Sequence, residues 1–313
     1  MLPRSLFILG SDWNARCRKW NWIVLSSVCV AAVIVAAGNY CVNIYGLFGD
    51  IKGKQFIVYD NERTTKYLFS YKYIPANFDG LLIGSSISAN WDTRKISSFR
   101  IYNASIDGAN ISEETLIADN VLQKGRPKIL LVLIFPYLTE TYGRKSRYMN
   151  PQEYWGALGS VQLFRVYFSK WLLSVRHEAG EFNDFGYKNY EVPHRDPSWI
   201  KRSEFFADPQ SLQEYRDLLQ LARVRGVRIV GIIPPIEMQR LKLEGRAFDI
   251  YHRNLRSFFL PDEPIIDLNG PVLDQMRKNK DNFPDGYHLS KAAADQVIGV
   301  IDAQLAQLLR IPN

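Results

Sequence analysis

The chain contains 313 residues, of which 47% are hydrophobic and 23% are charged, a composition typical of a globular protein with a full core. Its formal net charge of +7 comes from lysines and arginines scattered along the chain without a basic repeat. This pattern argues against a nucleic-acid-binding protein, and a basic surface is better suited to an anionic membrane or polymer. The histidines lack the spacing of metal ligands and every cysteine precedes residue 42, so we expect no metal, no cofactor and no disulfide beyond Cys41.

The N-terminal region predicts a membrane anchor. Residues 1–19 are rich in arginine and lysine, and an uncharged stretch from Trp20 to Gly49 follows. That stretch is long enough to cross a hydrocarbon core of about 30 Å, which needs roughly 20 residues. The basic flank predicts that residues 1–22 are cytoplasmic and that a transmembrane helix over residues 23–45 leads out of the cytoplasm. The alternative is a cleaved signal peptide with Val35-Ala36-Ala37 as its cleavage site.

After a predicted linker over residues 46–77, the remaining domain, residues 78–313, alternates between short apolar runs and amphipathic segments. The apolar runs predict five strands, at 81–83, 99–103, 129–135, 227–233 and 264–268. The amphipathic segments predict helices at 112–123, 209–226, 238–259 and 291–309, with Ser112 as the cap of the first. Buried strands that alternate with helices predict an α/β fold with a doubly wound, mostly parallel five-stranded sheet of flavodoxin type.

The turn after the first strand, Gly84-Ser85-Ser86-Ile87, holds a candidate nucleophile. A serine at the carboxyl end of a parallel strand lies where open α/β sheets bind ligands, and Gly84 allows the backbone to turn tightly. Ser86 could then present its hydroxyl, with its own backbone N–H beside it. The alternative is a polar loop in which Ser85 or Ser86 only caps a helix.

A second candidate group, Asp285-Gly286-Tyr287-His288, precedes the last predicted helix. One turn can place Asp285 and His288 on the same side, so that the carboxylate orients one ring nitrogen and the other nitrogen faces a serine. Taken alone, this pattern is also typical of a simple turn before a helix. Because both groups follow predicted strands, their combination predicts a catalytic triad of Ser86, His288 and Asp285.

These two groups resemble the first and last blocks, G-D-S-L and D-x-x-H, of the SGNH (GDSL-type) hydrolase superfamily, with Ser85 in the position of the aspartate. The stretch Tyr102 to Gly108 resembles the second block, which implies that the Gly108 N–H joins that of the nucleophile in an oxyanion hole. The third block, G-x-N-D, is absent, because Ile134-Phe135-Pro136-Tyr137 contains no asparagine. Asn110 is the substitute donor that we consider.

The segment from Tyr137 to Phe206 is predicted to be an insertion in this domain. It holds 16 of the 41 aromatic residues in under a quarter of the chain, and Phe164 and Phe168 recur in it at helical spacing. One interpretation is a helical cap that packs its aromatics on the sheet. The other is a lid over Ser86 that stacks on sugar rings or touches a membrane, for which aromatics outside the helical stripe are candidates: Tyr187, Tyr190 and Trp199.

The resemblance implies acyl transfer through a serine ester, without a cofactor. The anchored, exported layout is similar to the proteins of teichoic-acid D-alanylation and alginate O-acetylation, which implies a polysaccharide substrate and a multi-spanning membrane acyltransferase as partner. The expected location is the cytoplasmic (inner) membrane, with a single span and the catalytic domain periplasmic or extracellular. Two alternatives stay open: a carbohydrate esterase or lipase-type hydrolase with the same triad, and a non-catalytic glycan-binding or scaffold protein with a degenerate site.

Overall fold

The computed structural model describes residues 8–48, 61–140, 149–173, 182–193 and 203–310. The chain divides into two compact units, one of residues 1–43 and 151–176 and the other of residues 44–150 and 177–313. The helices, in chain order, are α1 (Ile8–Val42), α2 (Glu62–Phe69), α3 (Tyr73–Asn77), α4 (Ser86–Ala89), α5 (Ile111–Lys124), α6 (Gln152–Gly159), α7 (Val161–Leu173), α8 (Pro209–Val224), α9 (Met238–Arg256), α10 (Asp274–Lys278) and α11 (Lys291–Arg310). Short 3₁₀ turns occupy Thr93–Lys95, Pro136–Leu138, Pro271–Leu273 and Lys280–Asn282.

The larger unit is built on a five-stranded parallel sheet. Its strands are β1 (Gly80–Ile83), β2 (Ile101–Asn103), β3 (Ile129–Leu133), β4 (Arg228–Ile233) and β5 (Ile265–Asp267), in the spatial order β2-β1-β3-β4-β5. All four pairings are parallel. The predicted α/β fold and flavodoxin-type order are therefore confirmed, and the strand order reverses between β1 and β3, where such sheets bind ligands.

Successive side chains of each strand point to opposite faces of the sheet. Helices cover both faces, so both sets of side chains are buried. Leu82, Leu131 and Ile232 share one core with Phe248 of α9 and Val297 of α11. The opposite face packs against α5 and α8, which also contact each other. The central strands therefore consist almost wholly of apolar residues, which is why their sequence shows no alternation.

Local signals account for the helix ends in this unit. Asp208 caps α8 by accepting from the N–H groups of Gln210 and Ser211, and Pro209 occupies the first turn, as the sequence predicts. The predicted cap of α5 at Ser112 is wrong. Asn110 caps that helix, because its side chain accepts from the backbone N–H of Glu113.

The linker predicted over residues 46–77 requires correction. Residues 46–48 and 61–77 of it are described; the second stretch contains α2 and α3, and the side chains of Thr65 to Phe69 are buried. Asn61 caps α2 by accepting from the N–H of Thr64. Some of the buried side chains in this segment are charged and have partners. The hydrophobic pattern of the sequence therefore does not indicate that the segment is buried.

The smaller unit contains α1, α6 and α7, and α1 contacts both of the other helices. Within α1, the stretch Ala15–Val42 is long and apolar enough to cross a membrane, with a mean hydropathy of 2.1. The helix ends at Val42, where Asn43 adopts a left-handed conformation (φ 47°), and not at residue 45 as the sequence suggested. Residues 151–176 of the predicted insertion thus belong to the same unit as the apolar helix.

Candidate active site

The turn from β1 into α4 presents Ser86 at the carboxyl end of a central strand. A Cβ atom on Gly84 would lie 2.0 Å from Ser88 Oγ and 2.8 Å from Ser105 Oγ, so only glycine fits here. Ser85 occupies the cap position of α4, but its side chain makes no capping bond and is fully buried. The half-buried Ser86 is therefore the serine of this turn that can meet a substrate.

The turn before α11 holds Asp285 and His288 in a fixed relation. Asp285 Oδ1 accepts from the backbone N–H groups of Tyr287 (3.1 Å) and His288 (2.9 Å), so the carboxylate organises the turn itself. Gly286 has a φ of 85°, a conformation that L side chains rarely adopt. The spacing of three residues thus has a structural reason in this chain.

The structure brings the three predicted triad residues together. His288 Nδ1 lies 2.7 Å from Asp285 Oδ2, and His288 Nε2 lies 2.8 Å from Ser86 Oγ. Burial alone would raise the pKa of Asp285, but the hydrogen bonds from the His288 ring and from the two backbone N–H groups outweigh it and hold the pKa below its usual value. At neutral pH the carboxylate is ionised and placed to orient the imidazole.

Two asparagines that the sequence did not single out connect the parts of this site. Asn90, at the end of α4, donates to the carbonyl of Leu289 (2.8 Å), directly after His288. Asn103, at the end of β2, donates to the carbonyls of Ser88 (2.8 Å) and Trp91 (3.0 Å). Asn90 thus ties the Ser86 helix to the histidine turn, and Asn103 ties the same helix to the neighbouring strand. An isolated asparagine carries no sequence signal for such a task.

The sequence suggested the backbone N–H groups of Ser86 and Gly108 as the donors of an oxyanion hole. Among the described residues, neither Ser86 N–H nor Gly108 N–H makes a hydrogen bond. Gly108 has a φ of 63°, which favours glycine there. Asn110 Oδ1 accepts from Glu113 N–H as the cap of α5, and the assignment of the Asn110 side-chain amide as a third donor stays a prediction.

Charged side chains of α2 and α5 hold the loop that precedes Gly108. Lys66, which is fully buried, donates to the carbonyl of Ser105 and pairs with Glu62 (3.1 Å). Arg63 donates to the carbonyl of Asp107 (2.8 Å) and pairs with Glu113 of α5 (2.9 Å).

The carboxyl groups of this network bind the loop's N–H groups. Glu62 accepts from Asp107 N–H (3.3 Å), and Glu114 accepts from Ile106 N–H (3.1 Å). Burial raises the pKa of Glu114 well above its usual value, whereas the charge of Lys66 lowers it. The backbone from residue 105 to residue 107 is thus bound at each residue by a charged or carboxylic side chain.

The segment that follows β3 belongs to an aromatic cluster. The rings of Phe135, Tyr137 and Tyr287 lie with their centroids 5.0 to 5.9 Å apart. Tyr287, which stands between Asp285 and His288 in the chain, donates to Glu244 (2.8 Å), and Glu244 is buried in an ion pair with Arg240.

The segment 182–193 is the longest described part of the predicted insertion in this unit. Lys188 N–H donates to the carbonyl of Ala89 (2.9 Å), and its ammonium group pairs with Asp107. Tyr190 is half-buried, and its hydroxyl lies 3.4 Å from the carbonyl oxygen of Ser86. Tyr187, which the sequence suggested as an exposed aromatic, is instead buried at 5% exposure, and Trp199 lies outside the described residues.

No protein-family profile matches the chain, and no curated protein matches it either. Solved structures similar to it include a Streptococcus pneumonia protein provisionally described as a platelet activating factor, with 14% identity over 78% of this chain and 91% of that chain and a TM-score of 0.45. A GDSL-like lipase from Bacteroides thetaiotaomicron shows 10% identity over 73% and 87%, with a TM-score of 0.39. TesA shows 12% identity over 73% and 98%, with a TM-score of 0.35. Likeness at this level concerns the fold and carries no argument about activity or substrate.

Proposed function

We propose that the chain is a membrane-anchored serine acyl-transfer enzyme. It forms an ester on Ser86 and passes the acyl group, in the simplest case acetyl, to a hydroxyl group of a cell-surface or secreted polysaccharide. The observation that carries this proposal is the hydrogen-bonded series from Asp285 through His288 to Ser86, beside two backbone donors that have no other partner among the described residues.

In the first half-reaction, Ser86 Oγ attacks the acyl carbonyl while His288 Nε2 takes the hydroxyl proton. The N–H groups of Ser86 and Gly108 stabilise the negative charge on the carbonyl oxygen, and each such donor is typically worth about 10²–10³ in rate. The tetrahedral intermediate collapses, the bond to the leaving group breaks, and His288 returns the proton to that group. Asp285 keeps the imidazole in the required tautomer and stabilises the imidazolium.

In the second half-reaction, a sugar hydroxyl attacks the acyl-serine. His288 now takes the proton of that hydroxyl and returns it to Ser86 Oγ as the ester bond to the serine breaks. Water in the same position would give hydrolysis, so the triad serves transfer and hydrolysis equally. The choice of a polysaccharide acceptor rests on the resemblance to the exported O-acylation proteins.

The apolar helix α1 supports the proposed location. Its exposed apolar surface and its basic N-terminal flank fit a single span in the cytoplasmic membrane, with the N-terminus inside and the catalytic unit periplasmic or extracellular. In this layout a multi-spanning membrane acyltransferase is the partner that would deliver the acyl group from the cytoplasm.

The first test asks whether the site is reactive. The detergent-solubilised full chain is incubated with a fluorophosphonate, which labels activated serines. We expect labelling that Ser86→Ala and His288→Ala abolish and that Ser85→Ala preserves. An unlabelled but folded chain would support the non-catalytic scaffold and contradict the proposal, whereas labelling lost only in Ser85→Ala would move the nucleophile by one residue.

The second test separates transfer from hydrolysis. The chain is supplied with p-nitrophenyl acetate and an unmodified polysaccharide such as alginate, and acetate and acetylated polymer are followed over time. Transfer predicts an acetyl adduct on Ser86 that is consumed faster as the polymer concentration rises. Release of acetate alone, at a rate that the polymer does not change, would assign the chain as an esterase.

A further inference from the structure

The helices α6 and α7 of the insertion are attached to one end of the apolar helix α1. Asn39 donates from its side chain to the carbonyls of Leu158 (2.7 Å) and Ser160 (3.1 Å), at the junction of the two helices. The same side chain accepts from the hydroxyl of Tyr167 (2.7 Å). Asn39, near the end of the apolar helix, is only 6% exposed. Its buried side chain is therefore satisfied by hydrogen bonds to α6 and α7.

The backbone of α1 is shaped for this contact. A Cβ atom on Gly38 would lie 2.8 Å from the ring of Phe164, so the absence of a side chain lets α7 approach closely. In the preceding part of the helix, by contrast, the apolar side chains are uncovered, including Val24, Val30 and Val33 at 56 to 66% exposure. The helix pair therefore covers the end of the apolar helix and leaves its middle bare.

The distance along α1 puts the helix pair at a defined depth. Trp22, which is 67% exposed, marks one end of the bare stretch, and tryptophans of this kind are enriched at membrane–water interfaces. At 1.5 Å per residue, the rise from Trp22 to Asn39 is about 26 Å. That length is close to the hydrocarbon core of a bilayer, about 30 Å. If Trp22 lies at the inner interface, Asn39 and the helices bound to it lie at the outer one.

The helix pair also carries a surface suited to that depth. Trp155 is 68% exposed, Val161 is 59% exposed and Phe168 is 43% exposed, although Leu163 and Ala157 of the same helices are buried. Arg165 is exposed between them. Helices that rest in the headgroup region combine exposed aromatic and apolar side chains with basic ones.

We propose that α6 and α7 form a second membrane contact, which rests in the outer headgroup region and binds lipid through Trp155, Val161 and Phe168. This inference rests on the anchoring role of α1 in the proposed function. Part of the aromatic insertion then serves to bind the bilayer surface, and Asn39 is the hydrogen-bonding residue that fixes it to the span.

The test uses the full chain in vesicles of zwitterionic and anionic phospholipid. The three cysteines are replaced by serine, and a single spin label is attached through Trp155→Cys or Phe168→Cys. Accessibility to oxygen, which concentrates in the bilayer, is compared with accessibility to a water-soluble nickel chelate. Val272→Cys is the matched control, because Val272 is an exposed apolar residue (79%) in the unit that contains the sheet.

We expect the ratio of oxygen to nickel accessibility to be severalfold higher at residues 155 and 168 than at residue 272. A label at Val30→Cys, in the middle of the span, should show the highest ratio. Equal ratios at residues 155, 168 and 272, with a high ratio at residue 30, would overturn the lipid contact and leave the anchor intact. A water-like ratio at residue 30 would instead remove the anchor. Fluorophosphonate labelling of each variant reports independently that the catalytic unit is folded.

Discussion

Replacing Lys66 with methionine tests whether the charged side chains of α2 hold the loop of residues 105–107. The lysine side chain has 0% exposure and binds the carbonyl of Ser105 and the carboxylate of Glu62. Methionine has a similar length and lacks the charge, so the change removes the cation without opening a large cavity. It leaves a carboxylate and a carbonyl without their partner in a region from which water is largely excluded.

The magnitude follows from that loss. Removing one partner of a buried ion pair typically costs about 3–5 kcal/mol in the free energy of unfolding, because the remaining charge stays buried and unpaired. With a urea dependence of about 3 kcal/mol per M for a protein of this size, the unfolding midpoint should fall by about 1 to 1.7 M. The double variant with Glu62→Gln should recover part of the loss, because it also removes the unpaired charge.

The assay is urea unfolding of the detergent-solubilised chain, followed by tryptophan fluorescence. Lys95→Met is the matched control, since Lys95 forms an ion pair of 2.7 Å with Asp295 in which both side chains are exposed (47% and 38%). Exposed pairs contribute at most about 1 kcal/mol, so this variant should shift the midpoint by less than about 0.3 M. If the two variants shifted the midpoint equally, Lys66 would not hold the loop and the network would need another explanation.

Three further predictions concern the site and its surroundings. Asp285→Asn should slow fluorophosphonate labelling by about 10³–10⁴, because it disturbs the tautomer and orientation of His288, while the unfolding midpoint changes little; a loss below tenfold would contradict the orienting role. Tyr190→Ala should raise the KM for polymer and spare turnover of p-nitrophenyl acetate, since only remote binding energy is lost. Tyr187→Ala is the control and should mainly lower stability. The reverse result would remove Tyr190 from the acceptor site. Burial lowers the pKa of His252 to about 4, against about 6.5 in the unfolded chain. Between pH 4 and pH 6.5 the His252 imidazole binds a proton in the unfolded chain but not in the folded one. The free energy of unfolding therefore falls as the pH falls from 6.5, by at most about 3 kcal/mol. His252→Phe should flatten the dependence of the unfolding midpoint on pH over that range, and an unchanged slope would count against the assignment.

The features that the sequence predicted well are those with a local cause. The strands were recognisable because β1, β3 and β4 are buried on both faces and therefore consist of continuous apolar runs. Ser86 and His288 could be related from the sequence alone because the carboxyl ends of parallel strands meet at one edge of the sheet. The distance of 2.8 Å between Ser86 Oγ and His288 Nε2 depends on the spatial order of the strands. Chain order alone does not determine that spatial order, but a doubly wound sheet allows few alternatives.

The features that it missed depend on contacts between distant segments. The α2 segment was predicted as a linker because its sequence mixes polar and aromatic residues. Only the structure shows that Glu62, Arg63 and Lys66 bind the backbone of residues 105–107, some 40 residues later. Tyr187 was expected to be exposed because it lies outside the helical stripe of the insertion. Its burial comes from the packing of the whole 182–190 segment on β2 and α4, where Phe185 and Lys188 bond to Asn103 and Ala89.

The absence of the third-block asparagine is easier to understand in this light. The proposed enzyme, with one fewer side-chain donor, would rely on its backbone donors, and a backbone donor stabilises an oxyanion best if its loop does not have to reorganise during the reaction. Here the loop that carries Gly108 is bound at residues 105, 106 and 107 by side chains of α2 and α5. Lys66, Glu113 and Glu114 are buried and Glu62 and Arg63 are half-buried, so moving the loop would break several ion pairs and hydrogen bonds at once. In the proposed enzyme, the fixed position of the Gly108 N–H would therefore come from the side chains of α2 and α5 that bind its loop.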